Sequence, residues 1–278
     1  MNRDMNPRVG QDVEGIVSVD GYRLRISVRG NGPPLLILNG LGGRIRLLDR
    51  LRLELDDFQT IAFDAPGIGE SPQPRMTRRL FRLRHYAELA EAVVNQLGFG
   101  EGVNVLGVSL GGSIAQELAH RHPDLVRALV LASATSIPYV VTTPSAYLAF
   151  FDPRRSWSHK RFLRSAPALY GGLMRGNSEL AGVMQGHFEP VYGRGRLRQL
   201  FAASTWTSLL FAHRIRQPTL LLTGTDDPLI PPYNSRILKT LLPNARLEVF
   251  EGEGHLLVVT SPERTAASVR RFLLSPFD

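Results

Sequence analysis

The chain has 278 residues, 43% of them hydrophobic and 21% charged, which is the balance of a folded globular protein and not of a disordered one. That length accommodates one large α/β domain or two small ones, with a core that needs no covalent staples. Cysteine is absent, which excludes disulfides, thiolate metal sites and a cysteine nucleophile; the net charge of +8 comes almost wholly from arginine, since Lys160 and Lys239 are the only lysines.

Met1 to Glu14 is polar and lacks the apolar stretch and small-residue cleavage site of a secretory signal. No apolar run approaches the ~20 residues that span a bilayer. The expectation is a cytoplasmic protein with no transmembrane segment. The basic residues are scattered and no nucleic-acid motif accompanies them, so no nucleic-acid partner is expected.

Val13 to Val19 and Tyr22 to Val28 flank Asp20-Gly21, a dipeptide suited to a tight hairpin turn. Leu35 to Asn39 and Phe58 to Phe63 read as buried strands. Leu83 to Leu97 has helical periodicity and Gly98 follows as a C-cap. Val103 to Val108 is a third buried strand, Ile114 to His120 is helical, and Val126 to Ala132 is a fourth strand. From about Ser136 to Arg214 the alternation stops, in a stretch rich in aromatics, glycine and arginine. It resumes with a strand at Thr219 to Thr223, a helix at Asn234 to Leu241, a strand at Arg246 to Phe250 and a closing helix at Pro262 to Leu274.

Strands alternating with helices imply a mostly parallel sheet covered on both faces, with the N-terminal hairpin adding antiparallel strands at one edge. The irregular middle is too long for an ordinary loop and reads as an inserted helical cap. The expected division is a core of residues 1–135 and 215–278 and a cap of residues 136–214.

Gly107-Val108-Ser109-Leu110-Gly111 matches the G-x-S-x-G elbow, between a strand and a helix as that motif requires. The sharp turn lifts the serine oxygen clear of the sheet, and the helix N-terminus offers free N–H groups. A serine needs a base. Among seven histidines, His120 and His122 lie at the far end of the serine's helix, His85 sits in an arginine-rich segment, and His159, His187 and His213 fall in the middle stretch. His255 lies in a loop just after the last strand, where an open α/β sheet carries its chemistry, and comes last in the order serine, acid, histidine. Asp226 and Asp227 compete as the orienting acid. Asp227 is favoured because Pro228 biases it toward extended geometry, whereas Asp226 suits a turn or cap.

The oxyanion donors are expected to be the backbone N–H of Leu110 and that of Leu41, the latter in the loop Asn39-Gly40-Leu41-Gly42-Gly43, where Asn39 and Gly40 shape the loop. Asp64-Ala65-Pro66-Gly67-Ile68-Gly69 has no phosphate-binding pattern and is expected to be structural, with Asp64 bracing the oxyanion loop. No metal-binding signature is present, and the chemistry calls for no cofactor.

These residues resemble the α/β-hydrolase fold and, more narrowly, the intracellular medium-chain-length polyhydroxyalkanoate depolymerases. The narrower resemblance rests on Leu38-Asn39-Gly40, Phe63-Asp64-Ala65-Pro66-Gly67 and Val105-Leu106-Gly107-Val108-Ser109, with Tyr170-Gly171-Gly172 and Thr205-Trp206-Thr207-Ser208 in the cap. It continues through Arg216-Gln217-Pro218, Asp226-Asp227-Pro228-Leu229-Ile230-Pro231 and Gly254-His255-Leu256. It implies a triad of Ser109, Asp227 and His255 cleaving esters of 3-hydroxy fatty acids, with a storage granule as a partner surface. The chain departs from that family's pattern at Leu110, where tryptophan often follows the nucleophile, and the smaller side chain changes the acyl pocket. A small-molecule carboxylesterase, thioesterase or lactonase of the same fold is the main alternative, and a non-catalytic binding protein the other. A homo-oligomer is left open. Arg154, Arg155, Arg161, Arg164, Arg194, Arg196 and Arg198 cluster in the cap and are expected either to solvate it or to settle it on an anionic granule coat.

Overall fold

The computed structural model describes residues 12–74, 82–137, 142–156, 158–190 and 193–275. Tyr139 and Trp157, two of the aromatics in the middle stretch, lie outside them. Eight strands form one sheet: β1 (Val13–Val19), β2 (Tyr22–Arg29), β3 (Pro34–Leu38), β4 (Gln59–Phe63), β5 (Val103–Val108), β6 (Val126–Ala132), β7 (Thr219–Gly224) and β8 (Ala245–Phe250). Their spatial order is β1-β2-β4-β3-β5-β6-β7-β8. β1 pairs with β2, and β2 with β4, antiparallel; every later pairing is parallel.

The hairpin turns where its dipeptide predicts. Asp20 and Gly21 take φ of +46° and +77°, the left-handed pair a two-residue turn requires, and Val19 pairs with Tyr22. Inside the sheet the apolar runs are buried on both faces. In β3, Leu36 and Leu38 join one hydrophobic cluster while Leu35 and Ile37 join the other. Each such side chain contributes roughly 1.5–3 kcal/mol by leaving water.

Ten α-helices accompany the sheet among the described residues: α1 (Asp49–Glu54), α2 (Leu83–Gln96), α3 (Leu110–Arg121), α4 (Pro144–Phe151), α5 (His159–Tyr170), α6 (Ser178–Gln185), α7 (Arg194–Ser204), α8 (Tyr233–Leu241), α9 (Leu257–Thr260) and α10 (Pro262–Leu273). α2, α3 and α8 supply the first cluster, through residues such as Val93, Leu118 and Leu238. α1 and α10 supply the second, through Leu51 and Val269. The helix after Ser109 is longer than its periodicity suggests because it starts at the elbow itself, and its first turn is glycine, not an apolar stripe.

α4 to α7 form the insertion between β6 and β7, helical as expected, and Phe162, Ala166 and Met184 pack it into the second cluster. α1 and α9 are absent from the reading of the sequence. α1 escapes it because Arg50 and Arg52 interrupt the apolar pattern, yet Arg52 is buried, donating to Ser27 Oγ at 3.1 Å and to Thr60 Oγ1 at 3.2 Å. Burial pulls its guanidinium down to about 10.

The elbow leaves no room beside its glycines. A Cβ on Gly111 would lie 1.9 Å from the carbonyl oxygen of Leu38, and one on Gly107 would lie 2.5 Å from that of Gly111. Both neighbours are backbone and cannot step aside. Gly111→Ala is therefore expected to lower unfolding free energy by about 3 kcal/mol or more, measured by denaturant titration.

Candidate active site

Four loops at the C-terminal ends of β3, β5, β7 and β8 meet at one point. The β5–α3 junction holds Ser109 at φ +53°, ψ −116°, a strained conformation for a residue with a side chain. Its N–H donates to the Ala132 carbonyl at 2.9 Å, and its own carbonyl accepts from Gly112 N–H at 2.9 Å. The backbone is thereby fixed while the hydroxyl projects into a cavity.

His255 arrives from the loop after β8. Its Nε2 lies 3.1 Å from Ser109 Oγ and its Nδ1 lies 2.9 Å from Asp227 Oδ2. Both His255 and Asp227 are buried. The other carboxylate oxygen of Asp227 accepts from the N–H groups of Leu229 and Ile230 at 2.9 and 2.8 Å. Those two bonds aim Oδ2 at the imidazole. Asp226 faces the other way. It accepts from Arg175 at 2.6 and 2.7 Å and from Gly172 N–H at 2.7 Å, and Arg175 holds its carboxyl below the usual range. Sequence left these two aspartates in competition; the carboxylate that meets His255 is that of Asp227.

The loop after β3 lies against Ser109. A Cβ on Gly40 would lie 3.4 Å from Ser109 Cβ, an ordinary contact distance, so the loop backbone runs directly beside the serine. Asn39 ties the loop to itself, accepting from Gly40 N–H at 2.8 Å and donating to the Arg44 carbonyl at 2.7 Å. Asp64 braces the same segment, as its position suggests: its carboxylate accepts from Ile45 N–H at 2.8 Å and Glu70 N–H at 3.1 Å. Burial pushes its pKa up, against the pull of those two donors.

The insertion contributes what sequence reasoning missed. Gln199 accepts from Gly42 N–H at 2.8 Å, the Tyr170 carbonyl accepts from His255 N–H at 2.7 Å, and Gly43 bridges to Phe188. Glu189 holds Gly69 N–H at 2.8 Å and pairs with Arg44. The sequence signal was only the glycine pair after Tyr170. A Cβ on Gly171 would strike the Asp226 carbonyl at 1.8 Å, and one on Gly172 would strike Gly254 N at 2.3 Å. The Thr205 to Ser208 motif is a fastening as well. Trp206 Nε1 donates to Glu117 at 2.8 Å and Ser208 Oγ to Gln116 at 2.7 Å, which clamps the end of the insertion onto α3.

Two connected cavities flank Ser109. One, of about 140 Å³, is apolar and lined by Leu110, Tyr147, Phe151, Leu200 and Trp206. The other, of about 60 Å³, is lined by His255, Asn39, Tyr170, Arg155 and Arg196. Leu41, Phe150, Leu229 and Ser109 border both. The expectation that the arginines of the insertion face solvent or an anionic coat fails for two of the seven. Arg155 and Arg196 are only 3% and 6% exposed, because their guanidinium groups turn inward over Phe150. Among the described residues no cluster of three His, Asp or Glu is placed to hold a metal ion.

The alpha/beta hydrolase family model matches residues 35–268, which takes in all four loops of the site. The chain belongs to the α/β-hydrolases. This hydrolase is 40% identical over 265 residues to a poly(3-hydroxyalkanoate) depolymerase of Ectopseudomonas oleovorans, with 92% of this chain and 91% of that protein covered. It is 28% identical to a 2-hydroxymuconate semialdehyde hydrolase of Pseudomonas putida, covering 96% of this chain and 95% of the relative. Among solved structures, the enol-lactonase of Burkholderia xenovorans superposes with a TM-score of 0.80 at 20% identity, covering 94% of this hydrolase and 100% of the lactonase.

Proposed function

We propose that this α/β-hydrolase cleaves carboxylic esters through Ser109, His255 and Asp227, and that its substrate is a polyester or oligomer of 3-hydroxyalkanoic acids. The observation that carries the reading is the Ser109–His255–Asp227 hydrogen-bond chain, at 3.1 and 2.9 Å, ending on a strained strand-to-helix elbow. His255 Nε2 takes the proton of Ser109 as Oγ attacks the ester carbonyl. The developing oxyanion is held by the N–H groups of Leu41 and Leu110. Leu110 opens α3, where an N–H has no partner in its own helix, and Leu41 borders both cavities beside Ser109. His255 then protonates the leaving alcohol, and water repeats the sequence to release the acid. Asp227 fixes the imidazole tautomer and stabilises the imidazolium. The steps use no cofactor.

The polyester is supported by the named activity of the relative at 40% identity. It is supported also by the apolar cavity, whose lining residues Tyr147 and Phe151 are 51% and 38% exposed and offer a greasy edge to an insoluble surface. On this reading the insertion acts as a cap over residues 136–214, and the enzyme works at granules in the cytoplasm; no helix of the described residues is long and apolar enough to cross a membrane. A small-molecule esterase or lactonase is the second reading, favoured by the modest size of the apolar cavity. One assay separates them. Purified enzyme given amorphous medium-chain polyester emulsion, short-chain emulsion and p-nitrophenyl esters of graded length is expected to release 3-hydroxy acids from the medium-chain emulsion. Turnover of soluble esters alone would leave the second reading. A fluorophosphonate probe that failed to label Ser109 would leave only a binding protein.

A further inference from the structure

Arg155 and Arg196 hold positive charge with no carboxylate paired to them among the described residues. Arg155 Nε and Nη1 are buried without a hydrogen-bond partner among those residues. Arg196 donates from Nη1 to the Glu189 carbonyl at a long 3.4 Å, and its aliphatic stem packs against Gly42. Burial, then the charge of Arg155, draws its guanidinium down to about 10. The acids nearest in sequence are engaged elsewhere: Glu189 spends its carboxylate on Arg44 and Gly69, and Asp152 pairs with Arg154 and Arg161. Both guanidinium carbons lie 5.6–5.8 Å from the centre of the Phe150 ring, and both arginines line the smaller cavity with it. Like charges gathered in a dry pocket disfavour each other and the fold, unless an anion completes the site.

His255 gives the direction. It lines the smaller cavity and not the apolar one, and it is the group that hands a proton to the leaving oxygen. The apolar cavity, which Leu110 lines, then takes the acyl chain, and the cationic cavity takes the leaving alcohol. In an ester between two 3-hydroxy acids, the alcohol half carries its own carboxyl group three bonds from the leaving oxygen. That carboxyl is a free anion only at the acid end of a chain.

We propose that Arg155 and Arg196 form a carboxylate subsite for the leaving group, so that the enzyme cuts the last ester at the acid end of a 3-hydroxyalkanoate chain or oligomer. The identity of the leaving group rests on the ester-hydrolase reading above; the anion subsite itself does not. A planar guanidinium matches a carboxylate two bonds at a time, and the orphaned Arg155 nitrogens supply the donors.

The test compares the dimer 3-(3-hydroxyoctanoyloxy)octanoate with its methyl ester. Wild-type enzyme is expected to favour the free acid at least tenfold in kcat/KM, with the difference in KM. Arg155→Gln and Arg196→Gln should bring that ratio near one. Equal handling of both esters by the wild type would overturn the subsite and leave ester hydrolysis standing. A second readout needs no turnover. In Ser109→Ala protein, calorimetry should show 3-hydroxyoctanoate binding at least tenfold tighter than its methyl ester, and the Arg155→Gln change should erase the gap. Should neither dimer be cleaved while this gap persists, the ester reading fails and the subsite stands. Melting temperature adds a third readout: Arg155→Gln is expected to melt at or above the wild type, and a marked fall would assign the guanidinium to the fold and overturn the proposal.

Discussion

Ser109→Ala is expected to reduce kcat on p-nitrophenyl octanoate by about 10⁵-fold or more while leaving the melting temperature unchanged. On the proposed mechanism the loss is large because Oγ is the atom that forms the covalent bond, and among the described residues it is the Ser109 hydroxyl that lies against His255 Nε2. The fold is spared because Ser109 holds the elbow by its backbone, through Ala132 and Gly112, and not by its side chain. Stopped-flow and steady-state rates on the same preparation check the first half, and calorimetry the second. Activity within tenfold of the wild type would remove Ser109 from the mechanism.

The second large effect separates two neighbours. Asp227→Asn is expected to lower kcat by about 10⁴-fold, because an amide in place of Oδ2 no longer holds the imidazole in the tautomer that presents a free Nε2 to serine. Asp226→Asn is expected to change kcat less than threefold. Its partner Arg175 is half exposed, so the lost ion pair costs under about 1 kcal/mol. Kinetics on the two variants in parallel decide the matter, and a reversed pattern would reassign the acid. The contrast is informative because both residues sit in one turn, have the same charge and differ only in which way the chain points them.

That pair marks how far the sequence could be read. Strands announce themselves when both faces are buried, as in β5 and β7, where every residue is covered. Ser109 and His255 were legible because a parallel sheet delivers its loops to one edge, so position after a strand is already position in space. Asp226 and Asp227 were separable only weakly, since what fixes their directions is remote. Arg175 lies 51 residues away, and the His255 ring 28 residues away. The oxyanion loop likewise depends on Gln199, 157 residues from Gly42. Buried arginine was the systematic blind spot. Arg52, Arg155 and Arg196 are all buried, and a charged letter in a sequence reads as solvent-facing. Each breaks an apolar pattern, so α1 went unseen and the inner face of the insertion looked like a polar surface.

The bond between the Tyr170 carbonyl and the His255 N–H has a mechanical consequence. Together with Gly172 N–H on Asp226, it rivets the insertion to the loops that carry Asp227 and His255. The Thr207 and Ser208 bonds to Ser136 and Gln116 add a second rivet where the insertion leaves the sheet. The start of α4 is fastened as well: Thr142 Oγ1 and Thr143 N–H both donate to the Pro228 carbonyl, at 2.9 and 3.1 Å. On the proposed mechanism, lifting the insertion would break these bonds and disturb the loops of Asp227 and His255, so opening the site and aligning it are mechanically coupled.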